Sequence, residues 1–124
     1  MAKVSTLTEA QEQSLLFEWA KIRENQLPVL KLMHHVPNGG SRHPAEAANL
    51  KRQGVKAGVP DVNLPAARKG FHGLYIEMKR KGEEPTKLQK EWLIALTEQG
   101  YKAVVCHGFE EAVDVIEDYL RGDK

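Results

Sequence analysis

Cysteine is almost absent. The single Cys106 has no partner for an intramolecular disulfide and no company for a thiolate zinc cluster. A thiol nucleophile stays open on composition, with nothing else in the sequence to recommend it. No apolar run approaches the ~20 residues that cross a bilayer, and the opening MAKVSTLTEAQEQ lacks the apolar stretch of a secretory signal. Both absences make the cytoplasm the expected site of action, with no membrane partner. Repeats, linkers and low-complexity tracts are missing too. So is an excess charge of one sign, since 18 basic against 17 acidic side chains leave a net charge of +1. In 124 residues a second core would leave each half below the size at which chains fold unaided, so one domain over 1–124 is expected. With 41% hydrophobic and 28% charged residues, a disordered chain or a fibre is excluded, and a compact enzyme or binding module remains.

The near-neutral total hides a division along the chain. Residues 42–81 carry nine Lys/Arg against three acids, whereas residues 109–124 carry six acids against Arg121 and Lys124. A basic middle segment in a neutral protein fits either a nucleic-acid backbone, whose phosphates supply most non-specific affinity, or a plain solvated face.

Periodicity sets the elements. Residues 9–25 read as an amphipathic helix with Leu15, Leu16, Trp19 and Ile22 at helical spacing and Thr8 and Gln11 in capping-box register. Residues 29–33 read as a short strand, 44–53 as a helix stopped by Gly54, and 59–64 as a strand ended by Pro65. Residues 66–73 make an exposed hairpin connection into a strand over 74–80, where Leu74, Ile76 and Met78 alternate with Tyr75, Glu77 and Lys79. A helix over 86–99, a buried strand over 102–106 and an amphipathic helix over 109–120 complete the chain. The order α-β-α-β-β-α-β-α predicts an α/β fold with a mixed sheet flanked by helices.

Chemistry gathers at Asp61, which follows Pro60, and at Glu77-Met78-Lys79. On a strand, Glu77 and Lys79 share a face opposite the apolar row. If 59–64 pairs beside that strand, Asp61 joins them. Two carboxylates converging at the edge of a core repel one another unless a positive charge sits between them. Mg²⁺ suits such a place, because it binds through one or two carboxylates and keeps waters and a substrate phosphate. It can activate a water there while the Lys79 ammonium orients the nucleophile or stabilises the transition state. Phosphodiester hydrolysis is the predicted chemistry. Alternatively, Glu77 and Lys79 form an exposed ion pair and Asp61 is a turn residue; three residues alone do not separate the two.

Longer matches do. The stretch Gly54-Val55-Lys56-Ala57-Gly58-Val59-Pro60-Asp61-Val62, then Gly73-Leu74-Tyr75-Ile76-Glu77-Met78-Lys79, Gln89-Lys90-Glu91-Trp92 and Gly100-Tyr101 resembles the VRR-NUC (virus-type replication-repair nuclease) domain of the PD-(D/E)XK nuclease superfamily. The resemblance covers residues 9–120. It implies a restriction-endonuclease-like core, with Asp61 and Glu77 as metal ligands, Lys79 as the catalytic lysine and the Met78 carbonyl completing the metal shell. It also implies an acidic ligand in the first helix ahead of a glutamine. Glu9 and Glu12 both precede Gln13; Glu9 is favoured because positions 9 and 13 share a helical face. Single-domain relatives of this kind look like phage or bacterial enzymes, similar to homodimeric Holliday-junction resolvases. The expected activity is therefore a Mg²⁺- or Mn²⁺-dependent endonuclease on branched DNA, in a bacterial or phage-infected cell and without a nucleotide cofactor. A restriction-like or flap nuclease of the same fold, or a non-catalytic DNA-binding module, are the alternatives.

Several residues carry two expectations. Gln89 matches the family's helix glutamine and is a candidate catalytic residue; it is equally the N3 partner of Thr86 in a capping box. The segment from Asn38 to Arg42 and His43 either grips phosphate or simply turns. Arg42, Lys56, Arg68 and Lys69 are candidate DNA contacts. The five histidines lack metal-site spacing such as HExxH, and His72 is the one of interest. Trp19 and Trp92 are expected in the core rather than stacked on bases.

Overall fold

A computed structural model describes residues 6–39 and 43–122. Arg42 lies outside the described residues. The elements in chain order are α1 (Glu9–Arg23), a short 3-10 helix (Pro28–Leu32), β1 (His34–His35), α2 (Pro44–Arg52), β2 (Val62–Leu64), β3 (Leu74–Lys79), α3 (Lys87–Glu98), β4 (Lys102–His107) and α4 (Phe109–Leu120). The sheet has the order β1-β2-β3-β4; β2 pairs antiparallel with β1 and β3, while β4 lies parallel to β3 across the α3 crossover. This is the mixed sheet flanked by helices that the sequence predicts. Among the described residues no helix is long and apolar enough to cross a membrane.

The core forms where the Leu74, Ile76 and Met78 row meets α1 and α4. Leu16 and Ala20 come from α1, Ala112, Ile116, Tyr119 and Leu120 from α4, and Val62 and Leu64 from β2. α1 starts at the expected capping box, with Thr8 and Gln11 bonded reciprocally. Its inner stripe differs from the expected one. Glu12, Leu16 and Ala20, four residues apart, face inward, whereas Leu15 is 36% and Ile22 71% exposed. Apolar residues on both sides of this helix conceal its inner face from a periodicity count.

Residues 29–33 are not a strand. Pro28 sits at the first turn of the 3-10 helix, where its missing N–H costs nothing, and the i to i+3 bonds Leu30 N to Leu27 O and Met33 N to Leu30 O follow. A repeat of three buries Leu30 and Met33 and leaves Leu32 outside. The strand comes next, as the two histidines of β1. β2 is also shorter than 59–64, because Gly58 has φ +92° and Pro60 carries no N–H for a ladder. A Cβ on Gly58 would lie 2.7 Å from Leu88 and 2.8 Å from Trp92, so α3 packs on this glycine just ahead of Asp61. At the other end of β2, Lys69 (φ +53°) and Gly70 (φ +85°) form the two-residue turn of a hairpin closed by Arg68 and Phe71.

Candidate active site

Asp61 stands one residue before β2. Its carbonyl accepts the Val36 N–H at 2.8 Å and the His35 ring at 2.8 Å, and its Oδ2 accepts the Met78 N–H at 2.8 Å. Val62 is in register with Ile76, so the next step along the ladder brings Asp61 opposite Glu77. A strand residue projects its N–H and C=O to the same side. The Met78 carbonyl therefore faces the Asp61 side as well.

Glu77 is 1% exposed, and its Oε1 has no hydrogen-bond partner. Burial, then the Asp61 charge and a carboxyl contact with Asp61, push its pKa up to about 8, against a smaller opposing pull from Lys79. An orphaned carboxylate oxygen in a core costs free energy that a native fold normally avoids. Across the cleft, Glu9 is held above the usual carboxylate range by burial and by its contact with the Glu83 carboxyl, again opposed by Lys79. Lys79 thus acts on both acids. A cleft of about 310 Å³ is lined by Glu9, Ala10, Gln13, His35, Asp61 and Met78.

Asp61, Glu77 and the Met78 carbonyl are oxygen donors at one place, and they fit a hard divalent cation. Among the described residues no three His, Cys, Asp or Glu groups gather closely enough to cage an ion by themselves. Two carboxylates and a carbonyl leave room for waters and a phosphate, which is how Mg²⁺ is usually bound.

This architecture has known counterparts. The VRR-NUC domain profile matches residues 7–110. The chain belongs to the VRR-NUC domain family. A solved structure described as a VRR_NUC domain protein is 37% identical, superposes with a TM-score of 0.82, and covers 97% of this chain and 94% of its own. A search of curated proteins finds no match. Membership makes the chain a nuclease of the PD-(D/E)XK type, a hydrolase with DNA as substrate, in a family that generally uses divalent metal ions.

The other residues singled out in this VRR-NUC sequence fall in different places. Glu12 does not share the cleft with Glu9. It is buried, and its Oε1 accepts the Phe109 N–H at 2.8 Å, which caps α4 where Gly108 has no side chain to do so. Successive helix positions diverge by ~100°, so Glu12 turns to α4 while Gln13 turns to His35. Gln89 closes the capping box: its Oε1 accepts the Thr86 N–H at 2.8 Å, and its own N–H bonds Thr86 Oγ1. Asn38 and Lys56 line one concave surface of about 590 Å³ with Lys51, Val55 and Leu88.

Arg68 and Lys69 are not brought to the acids. They occupy the hairpin ahead of β3, whereas Glu77 and Lys79 end it, and six strand residues span ~20 Å. There Arg68 donates to the Ala67 carbonyl and Lys69 to the Asp118 carbonyl. His72 is at this end too, edge-on to Tyr101 with ring centroids 5.8 Å apart. The thiol of Cys106 is buried and pushed up to about 12, first by burial, and is no nucleophile.

Three participants went unassigned at the level of sequence. Glu83 lies in the turn after β3, and its Oε1 accepts the Arg80 N–H at 3.3 Å. His35 and Gln13 sit 3.0 Å apart in the cleft wall. Only the glutamine carried a sequence signal, its place after the first-helix acids.

Proposed function

We propose that this chain is a Mg²⁺- or Mn²⁺-dependent endonuclease that cuts branched DNA, four-way junctions included, and works as a homodimer in the bacterial or phage-infected cytoplasm. One observation carries the metal dependence: Glu77 is buried opposite Asp61 with an unpartnered Oε1. Asp61, Glu77 and the Met78 carbonyl would hold the cation, whose chemistry when bound would be to offset charge on the scissile phosphodiester and to activate a water. Lys79, on the Glu77 face of β3, orients that water and stabilises charge developing at phosphorus. Glu9 faces the same cleft from α1 and is the first-helix acid of the site; Glu12 is committed to α4. Asn38 and Lys56 contact the DNA backbone beside the Asp61 edge, and Gln89 serves α3 chiefly as a capping residue.

Dimerisation has support from α1. The apolar face of α4 is spent on the core, where Ala112, Ile116, Tyr119 and Leu120 lie. The outer flank of α1 exposes Leu15 and Ile22 and carries shallow grooves with Leu7, Ala10 and Phe17 in their walls. A junction needs cuts on opposing strands, and one chain has one Asp61, Glu77 and Lys79 set. A two-fold pair supplies the second.

A labelled panel of four-way junctions, flaps, forks and linear duplex, in Mg²⁺ and in Mn²⁺, tests the proposal. Paired nicks in junctions are expected. Preference for linear duplex or for flaps would replace the substrate assignment, and no cleavage of any member in either metal would overturn the activity.

A further inference from the structure

We infer that His35 is a positioning residue for the catalytic cation, pinning the Asp61 backbone and tying it to α1; this rests on the metal-dependent function proposed above. The imidazole has one nitrogen, Nδ1, between two partners: the Asp61 carbonyl oxygen at 2.8 Å and the Gln13 side-chain nitrogen Nε2 at 3.0 Å, an amide whose nitrogen and oxygen exchange places by a half-turn. A carbonyl oxygen only accepts. Nδ1 therefore carries the hydrogen, and the neutral ring is the Nδ1–H tautomer. A shared Nδ1–H bond then requires the oxygen of the Gln13 amide on the ring side. Nε2 keeps its lone pair.

The consequence for Asp61 is a complete clamp. Its carbonyl accepts from Val36 and from His35, and its Oδ2 accepts from Met78, so both the backbone and the carboxylate of Asp61 are held. The His35 bond is the one that continues to α1, through Gln13, four residues from Glu9 and on the same face of the helix. β1 is two residues long and both are exposed, so its backbone pairing alone holds Asp61 weakly. Outer partners that orient a ligand typically change metal affinity by about 10–100-fold when removed.

Two measurements test this. Nitrogen-15 NMR of the imidazole in the metal-free protein should report the Nδ1–H tautomer for His35, and an Nε2–H ring would overturn the clamp. Calorimetric titration with Ca²⁺ should then rank the variants by where each places a donor. His35→Asn puts an amide nitrogen near the Nδ1 position and should bind like the wild type. His35→Gln reaches the Nε2 position instead, and should lose about tenfold in affinity, as should His35→Ala. In cleavage assays the loss should appear as a higher Mg²⁺ requirement, with turnover recovered at saturating Mg²⁺. If His35→Ala fails to fold, the Asn and Gln pair decides. Equal affinity across the variants, with Ca²⁺ bound by the wild type, overturns the role of His35 alone. A wild type that binds neither Ca²⁺, Mg²⁺ nor Mn²⁺ overturns the metal-dependent function and the positioning role together.

Discussion

The Asp61 carboxylate accepts the Met78 N–H at 2.8 Å, so a side chain stands in for a main-chain carbonyl at the end of the β2–β3 ladder. Asp61 is part of the sheet as well as of the candidate metal site. Glu77, directly across, is held by its backbone in β3, and its side-chain Oε1 has no partner.

The two acids should therefore respond differently to removal. Asp61→Ala is expected to abolish cleavage and to cost ~1–3 kcal/mol, because Met78 loses its acceptor. Glu77→Gln is expected to abolish cleavage and to stabilise the metal-free protein, because it replaces an acid that the fold must hold protonated, or charged beside Asp61, with a neutral amide. Lys79→Ala should slow cutting and leave metal affinity near the wild-type value, since an ammonium is not a ligand. Thermal melts in a chelator, Ca²⁺ calorimetry and single-turnover cleavage check all three. Near-wild-type turnover in Mg²⁺ by either acid variant contradicts the assignment.

Stability of the metal-free protein should fall as pH rises from about 4.5 to about 8. Glu77 has its pKa pushed up to about 8 in the fold, from an ordinary value of 4.5. Between those values the folded state holds the proton more tightly than the unfolded chain, so raising pH favours unfolding. The penalty is absent below 4.5 and complete above 8. Glu9 shifts in the same direction and adds to the slope. Denaturant titrations across pH should show this decline, and Glu77→Gln should flatten it.

Glu9 and Glu12, three residues apart, should separate cleanly. Glu12→Ala exposes the first turn of α4 and removes the acceptor of Phe109, with an expected loss of ~1–2 kcal/mol. Glu9→Ala should leave stability unchanged or higher, since it relieves the contact with Glu83, and should weaken cleavage. A Glu12→Ala protein of wild-type stability would show that α4 finds its cap elsewhere.

Cationic side chains should divide by position. Lys51→Ala with Lys56→Ala, on the surface shared with Asn38, should lower the slope of log affinity against log salt by about two if each makes one phosphate contact. Arg68 and Lys69, engaged at the far end of β3, should contribute less. Equal slopes for the two pairs would place DNA along the whole sheet edge.

Ile22→Glu should give a monomer. The side chain is exposed, so the fold should tolerate the change within about 0.5 kcal/mol. Light scattering at the chain mass of 13.9 kDa, with loss of paired junction nicks, is the expected outcome. Paired cutting by that monomer would exclude the dimer as the working unit.

Local sequence determined most of the element types and singled out the two acids that the sheet brings opposite one another. Capping boxes at Thr8 and Thr86 and the alternation over β3 are contacts among near neighbours, and a side-chain period of two already sets Glu77 and Lys79 on one face. What only the tertiary structure decided were the distances between strangers. Which α1 glutamate faces the cleft depends on where α4 begins, because the bare N–H of Phe109 draws Glu12 away. Residues 29–33 carry strand-forming side chains, yet Pro28 and the burial of Leu30 with Met33 select a three-residue repeat. The separation of Arg68 and Lys69 from the acids follows from the length of β3, which composition does not record. His35, Gln13 and Glu83 reach the site through contacts with distant segments or with acids on other elements, and no local pattern of charge or hydropathy encodes such a meeting.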